Sequence, residues 1–403
     1  MKKTLVIALA LLMCFSLFAQ GSSEAPAEKK ATKIGFVVIG SENDQGYTYN
    51  FMNGMNAAID KLKADGYDVE LSVKRDIQED AGCVDANLAL AAEGCEVIFN
   101  NSYGFEQYMQ QAADEFPEVT FISLTNCGSQ TDGRDNTYNA FAAIYEGRYV
   151  AGVAAGLKLQ ELIDTGKIKA DQAVIGYVGA FSFAEVISGM TSYFLGARSV
   201  CPSATMKVQF VGSWSDPTLE AEAAKALIDK GAVMISQHSD NTTPATTAQE
   251  RGVFHTGYNN DMTAVAPKAS LLSCRIDWTN YFYTFIANYI NGVENPSDYC
   301  GEMSRGEVVV TELNEAIAAP GTKEKLAEVE AKIASGEIQV FDTSTFTVGG
   351  AELKNAFALD TNGDFTPDSE EAVFDGAFHE SYFQSAPYFA IQIDGIEWLN
   401  AAF

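Results

Sequence analysis

Residues 33–54, KIGFVVIGSENDQGYTYNFMNG, decide the fold. An apolar run over 34–39 leads into a polar loop carrying Asp44, Gly46, Tyr47 and Tyr49. A helical pattern starts near Asn50. A buried strand feeding a loop and then a helix N-terminus is how open α/β sheets present a ligand site, just past the strands' carboxyl ends. This loop is expected to hold one wall of a small-molecule cleft.

Outward from there, strands and helices alternate. The pattern predicts strands over 68–73, 97–99 and 120–123, with helices over 50–64, 81–93 and 105–115. Met52, Met55, Ile59 and Leu62 share one helical face. Alternation of this kind implies parallel sheets covered on both faces. The order then repeats. Strands are expected over 173–178, 207–211, 232–235 and 253–256, with helices over 219–230 and 244–250 between them. Ile34-Gly35-Phe36-Val37 is answered by Ile175-Gly176-Tyr177-Val178, 141 residues on, and Gly54-Met55 by Gly189-Met190, 135 residues on. Two similar α/β lobes are expected, each supplying one wall. Beyond them come an aromatic helix over 281–289, a strand over 307–312, an exposed Lys/Glu-rich helix over 322–334 and a tail with hairpin-like pieces.

The chain as a whole agrees. Its 403 residues exceed one ordinary core. With 47% hydrophobic and 20% charged residues it is globular. A net charge of −28 excludes nucleic acid and anionic lipid surfaces as partners. Lys2 and Lys3 precede an apolar run over 4–18 that is too short to span a bilayer, so 1–19 reads as an export signal. Cys14 raises a lipid-anchored alternative. Residues 20–32 form a flexible tether. Six cysteines follow the signal: Cys83, Cys95, Cys127, Cys201, Cys274 and Cys300. No C-x-x-C occurs, so neither zinc nor redox chemistry is expected. Cys83 and Cys95 flank a predicted helix that holds them too far apart to bridge.

Catalytic motifs are missing. The sequence contains no phosphate loop and no nucleophile elbow. His238, His255 and His379 stand in no metal-ligand spacing. His238 ends a strand, although a lone loop histidine more often serves structure. In the tail, Asp360, Asn362, Asp364, Asp368 and Glu371 fall at the ligand spacings of a calcium loop. Phe365 takes the place where that loop needs glycine, so the stretch reads as a solvated acidic turn. No cofactor is expected. What remains is a set of aromatics after strands: Tyr47, Tyr49, Tyr103, Phe181, Phe183, Trp214 and Trp278. Beside them stand Asp44, Ser102, Glu185, Asp240, Asn259, Asp261 and Asp277. Stacking faces with a few fixed donors and acceptors suit a planar heterocycle.

The stretches at 33–54, 145–156 (YEGRYVAGVAAG), 196–202 (GARSVCP), 224–231 (AKALIDKG), 237–240 (QHSD) and 257–262 (GYNNDM) resemble the basic membrane protein (BMP) family, substrate-binding proteins of ABC transporters related to purine-nucleoside receptors. The resemblance runs from about residue 33 to 341. It implies a type I periplasmic binding fold, two Rossmann-like lobes joined by a three-strand hinge with crossovers near Phe141, Asp277 and Arg305. The lobes would be 33–141 with 277–305, and 142–276 with 306–403. The resemblance implies that Tyr47 stacks on a purine base near Asp44, and that Phe181 and Trp214 face it. Asp240 and the 257–262 loop would add hydrogen bonds. Asn259 stands where relatives often carry Asp, and Tyr47 where they often carry Trp or Phe. The expected activity is an exported, monomeric receptor that binds a purine-like ligand and hands it to a membrane permease. The alternatives are the same receptor for another planar heterocycle such as riboflavin, a nucleoside-hydrolysing enzyme, or a ligand sensor.

Overall fold

The computed structural model describes residues 30–126, 132–358 and 370–400. The export signal, most of the tether, Cys127 and four of the calcium-loop positions (Asp360, Asn362, Asp364 and Asp368) lie outside the described residues.

The first lobe is built on β1 (Thr32–Val37), β2 (Val69–Lys74), β3 (Val97–Asn100), β4 (Thr120–Leu124) and β5 (Thr137–Ala142). Their helices are α1 (Tyr47–Ala64), α2 (Ala81–Ala92) and α3 (Glu106–Glu115). The second lobe follows with α4 (Ile144–Asp164), β6 (Val174–Gly179), α5 (Ala184–Val200), β7 (Thr205–Phe210), α6 (Pro217–Asp229), β8 (Met234–His238), α7 (Thr243–Arg251), β9 (Phe254–Tyr258) and β10 (Ser270–Ile276). After α8 (Thr279–Asn291) the chain adds β11 (Asp298–Gly301) to the first sheet and β12 (Val308–Val310) to the second. The first sheet runs β11-β5-β4-β3-β1-β2, and every pairing in it is parallel. The second runs β12-β10-β9-β8-β6-β7-β15, where β15 is Ile396–Trp398. Only β12 is antiparallel in it. The chain therefore passes between the sheets three times, after β5, after β10 and after β11.

Helix placement follows sequence chemistry. α1 and α8 pack together on one face of the first sheet, burying Met52, Met55, Ile59 and Leu62 with Phe282 and Phe285. α2 and α3 cover its other face around Leu90, Met109 and Phe121. On the second sheet α4 and α5 lie very close. A Cβ on Gly152 would sit 1.9 Å from the Tyr193 carbonyl oxygen, and one on Gly196 would sit 2.0 Å from that of Tyr149. The glycines of YEGRYVAGVAAG and GARSVCP are thus contact points that let two backbones touch.

The expected strands and helices in 34–256 are present, and several elements differ. α1 begins at Tyr47 rather than near Asn50, because Asp44 supplies a cap one turn earlier. α4, β5, β10 and β11 were not anticipated as elements. α9 (Thr322–Ala334) is not exposed all round: Leu326, Val329 and Ile333 bury one face. In the tail, β13 (Val373–Phe374) and β14 (Ala377–Phe378) form a short hairpin. The tail then crosses behind the lobes. Its Ser385 amide donates to Asp298 Oδ2 on β11 at 2.6 Å, and its β15 pairs with β7. The five described cysteines are all free.

Candidate functional site

The carboxyl ends of both sheets face one another. Between them lies a small cavity of about 10 Å3, lined by Tyr47, Ser102, Tyr103 and Thr125 from the first lobe. Glu185, Trp214, His238, Asp240 and Tyr258 line it from the second. Each residue has a definite origin in the chain. Tyr47 opens α1 and its hydroxyl donates to the Asn101 carbonyl. Ser102 and Tyr103 follow β3, and the Ser102 hydroxyl donates to Glu79 Oε1 at 2.6 Å. Thr125 follows β4 with φ 93°. A β-branched residue adopts that region only under strain, and strain of this kind gathers at ligand sites.

Glu185 sits in the first turn of α5. One carboxylate oxygen lies 3.2 Å from His238 Nε2. Burial, together with the charge of Arg148, pushes the His238 imidazole down to about 4, so it is neutral. His238 packs against the Tyr258 ring at 4.6 Å, and Tyr258 covers the Arg148 guanidinium at 3.6 Å. Burial and the neighbouring carboxylates Asp44, Glu220 and Glu185 hold the Asp240 carboxyl well above its usual range.

A row of aromatic rings crosses between the lobes beside the cavity. Tyr103 stacks on Phe183 at 5.2 Å and 19°, and Phe183 stacks on Phe181 at 5.1 Å and 13°. Trp214 meets Phe181 edge-on at 5.0 Å. The lobes also touch through backbone. Asn260 Nδ2 donates to the Gln45 carbonyl at 2.7 Å. A Cβ on Gly46 would sit 1.8 Å from the Asp240 carbonyl oxygen. The Gly46→Ala substitution is expected to leave each lobe folded and to weaken ligand binding at least tenfold, because the cleft could no longer close. Isothermal titration with parallel circular dichroism checks this. Unchanged affinity would mean that closure does not need this contact.

Of the twelve anticipated ligand residues, the structure gathers Tyr47, Ser102, Tyr103, Glu185, Trp214 and Asp240 around the cavity. The other six lie elsewhere. Asp44 accepts from the amides of Gly46, Thr48 and Tyr49 at 2.7 to 3.0 Å, so it caps α1. Phe181 lines the adjoining open groove with Asp44. Tyr49 is half-buried in the first turn of α1, outside the cavity lining. Asn259 has φ 65° and turns the chain after β9. Asp261 accepts from the Thr263 amide and hydroxyl, closing a local turn. Trp278 is 2% exposed and stacks on Phe51 at 4.5 Å, so it is a core residue of the first lobe. Sequence reading missed Thr125 and Tyr258, set His238 aside and did not single out Arg148. The signals were present, since His238, Tyr258 and Arg148 all fall within the quoted family-like stretches. Among the described residues no cluster of His, Cys, Asp and Glu is placed to hold a metal.

Two parallel-sheet lobes closing over a cavity at their strand ends define a solute-binding protein of the type I periplasmic fold. The backbone aligns with an ABC transporter solute-binding protein from Aeropyrum pernix K1 at TM-score 0.63 and 15% identity, covering 77% of this chain and 93% of that one. A solute-binding protein from Conexibacter woesei DSM 14684 aligns at TM-score 0.60 and 18% identity, covering 77% and 98%. The chain belongs to the Bmp family of PnrA-like ABC transporter substrate-binding proteins, whose model matches residues 31–344. A purine-binding protein of Brucella abortus (strain 2308) is 34% identical over 333 residues, 82% of this chain and 89% of the relative. A putative ABC transporter glucose-binding protein of Haloferax volcanii is 32% identical over 251 residues, 62% and 60% of the two chains. The resemblance read from the motifs thus holds, and the family model stops before most of the tail.

Proposed function

We propose that this protein is the receptor of an ABC importer for a purine nucleoside or nucleobase. The ligand binds in the cleft between residues 33–141 with 277–305 on one side and 142–276 with 306–403 on the other. The lobes close over it, and the closed form delivers it to a permease in the membrane. The protein acts outside the cytoplasm as a monomer and performs no chemistry on its ligand. No described helix is long and apolar enough to cross a membrane.

The observation that carries this reading is the wall chemistry of the cavity. Tyr47, Tyr103, Trp214 and Tyr258 supply aromatic surface, and Glu185 and Asp240 supply hydrogen-bonding carboxyls between them. That combination suits a flat, polar-edged ring. The name of the Brucella relative adds the same ligand class.

Thermal-shift screening of the purified mature protein against nucleosides, nucleobases, flavins and sugars tests the proposal. A purine at a hundredfold excess over its Kd is expected to add about 2.7 kcal/mol of stability by mass action. The Trp214→Ala variant is expected to bind that purine at least tenfold more weakly with stability nearly unchanged, because the half-buried ring faces the cleft. Turnover of the purine on chromatography, or a shift with riboflavin or glucose alone, would overturn the reading.

A further inference from the structure

Arg148 is 1% exposed, and among the described residues no ion pair joins it to a carboxylate. Its Nη1 donates to the Gln237 carbonyl at 2.8 Å, while Nε and Nη2 are buried with no hydrogen-bond partner. His238, also 1% exposed, has a buried Nδ1 with no partner. These groups flank one point on α5. A Cβ on Gly189 would lie 3.0 Å from His238 Nδ1 and 3.4 Å from Arg148 Nε. On the far side of the same ring, His238 Nε2 meets Glu185 Oε1 at 3.2 Å.

The proton positions follow from chemistry. Where Glu185 Oε1 accepts from the ring, the neutral imidazole carries its hydrogen on Nε2. Nδ1 is then a bare lone pair turned toward the guanidinium side. The three groups form an ordered series: the cation, an imidazole polarised along its length, and a carboxylate at the cavity wall. A buried cation needs a compensating charge. Glu185, on the far side of the same imidazole, is the acidic side chain placed to supply it.

We propose that Glu185, positioned by His238 and Arg148, is the specificity-determining residue of the cleft, admitting ligands that present an N–H donor to it and rejecting those that present a carbonyl or an alkylated nitrogen. The inference rests on the purine reading above and sharpens it. A purine would be selected by which of its nitrogens carries hydrogen. A ligand acceptor aimed at Glu185 would leave two acceptors facing each other in a closed cavity. Arg148 and His238 act here as positioning residues, because neither needs to touch the ligand.

The test is calorimetric titration of the full mature protein with adenine, 9-methyladenine and N6,N6-dimethyladenine, repeated with Glu185→Gln and Gly189→Ala. For the wild type, one of the two methylated compounds is expected to bind about tenfold to hundredfold more weakly than adenine, as loss of a hydrogen bond to a charged group predicts. In Glu185→Gln, adenine is expected to weaken about tenfold, and the penalty for that methylated compound is expected to shrink. A steric clash alone would give the same penalty in both proteins, and that result overturns the inference. Gly189→Ala pushes on His238 from a position that does not itself line the cavity, and keeps the experiment decisive if Glu185→Gln folds poorly. It is expected to weaken adenine more than the donor-blocked compound at an unchanged urea midpoint. Equal weakening of all three would mean that His238 does not position Glu185. A wild type that binds none of the purines would instead overturn the purine reading itself, and this inference with it.

Discussion

Replacing Trp278 by alanine is expected to destabilise the protein by about 3–5 kcal/mol, the cost of emptying a large aromatic site in a packed core. Trp278 stacks on Phe51 at 4.5 Å and 22° and lies 5.8 Å from Phe282. The helix against it is seated by a glycine, since a Cβ on Gly54 would lie 2.6 Å from Trp278 Cβ. No larger residue there would let α1 approach as closely. The indole therefore fills space that α1, α8 and the first sheet share, and the structure cannot collapse around its loss without moving α1. Urea denaturation checks the magnitude. Trp278→Phe is expected to cost much less, because it keeps the stacked face and removes an indole N–H that is buried without a partner. A Trp278→Ala protein with near wild-type stability and impaired ligand binding would return this residue to the site.

The second large effect is a loss of stability as pH rises through neutrality. Burial pushes Glu146, Glu220 and Glu380 each up to about 7. In the unfolded chain a glutamate titrates near 4.3. Between those values the native protein holds protons that the unfolded chain has released. The contribution is complete below the unfolded value and is lost as pH climbs through the native one. The buried histidines act in the opposite direction in a different window. His238 and His255 are lowered by burial to about 4 and about 3, so the unfolded chain takes up their protons below about 6.5 and stability falls toward acid. Above that pH both states hold neutral histidine, and the carboxyls act until about pH 8, where the unfolded chain begins to release thiol protons that burial holds on Cys83, Cys95 and Cys300. From pH 6.5 to 8 the unfolding free energy is expected to drop by about 0.8 kcal/mol for each of the three glutamates, the slope flattening once the native carboxyls have ionised. Urea titrations at several pH values measure it. Glu380→Gln, which removes the titrating group but keeps an acceptor oxygen for only one of the Tyr388 and Phe389 amides, is expected to flatten the slope and to lower stability at every pH. A flat or rising profile across this range would show that these carboxyls are ionised in the native state.

Much of the fold could be read along the chain because each element announces itself locally. The apolar run ending at Ile39, the Met52–Met55–Ile59–Leu62 face and the Ile175–Val178 echo each carry the period of a strand or helix. Alternation then leaves few topologies. The elements not anticipated are the ones that carry the crossings. β5, β10 and β11 have no strong alternation of their own and become strands by pairing with a neighbouring strand, β11 with β5 from far back in the chain. α4 is apolar nearly all round because it is buried between the second sheet and α5, so it shows no stripe.

The site divides along the same line. The sequence by itself determined that aromatics and carboxyls would stand after strands in both lobes, because the chain direction in a parallel sheet places those loops at one edge. It also determined the family, through motifs whose glycines let helices touch. Only the tertiary structure decided which of those side chains face the cavity. Asp44 and Tyr47 are three residues apart, yet one closes the end of α1 and the other reaches the cavity wall. Trp214 and Trp278 both follow strands, and one faces the cleft while the other fills a core. His238, Tyr258 and Arg148 join the site because β8, β9 and α4 are brought side by side from separate parts of the chain. The stretch at 33–54 thus supplies one wall through Tyr47 and the close contact at Gly46. The wall opposite is built in the other lobe, by Glu185, His238 and Tyr258, whose contacts span long sequence separations that local pattern does not encode.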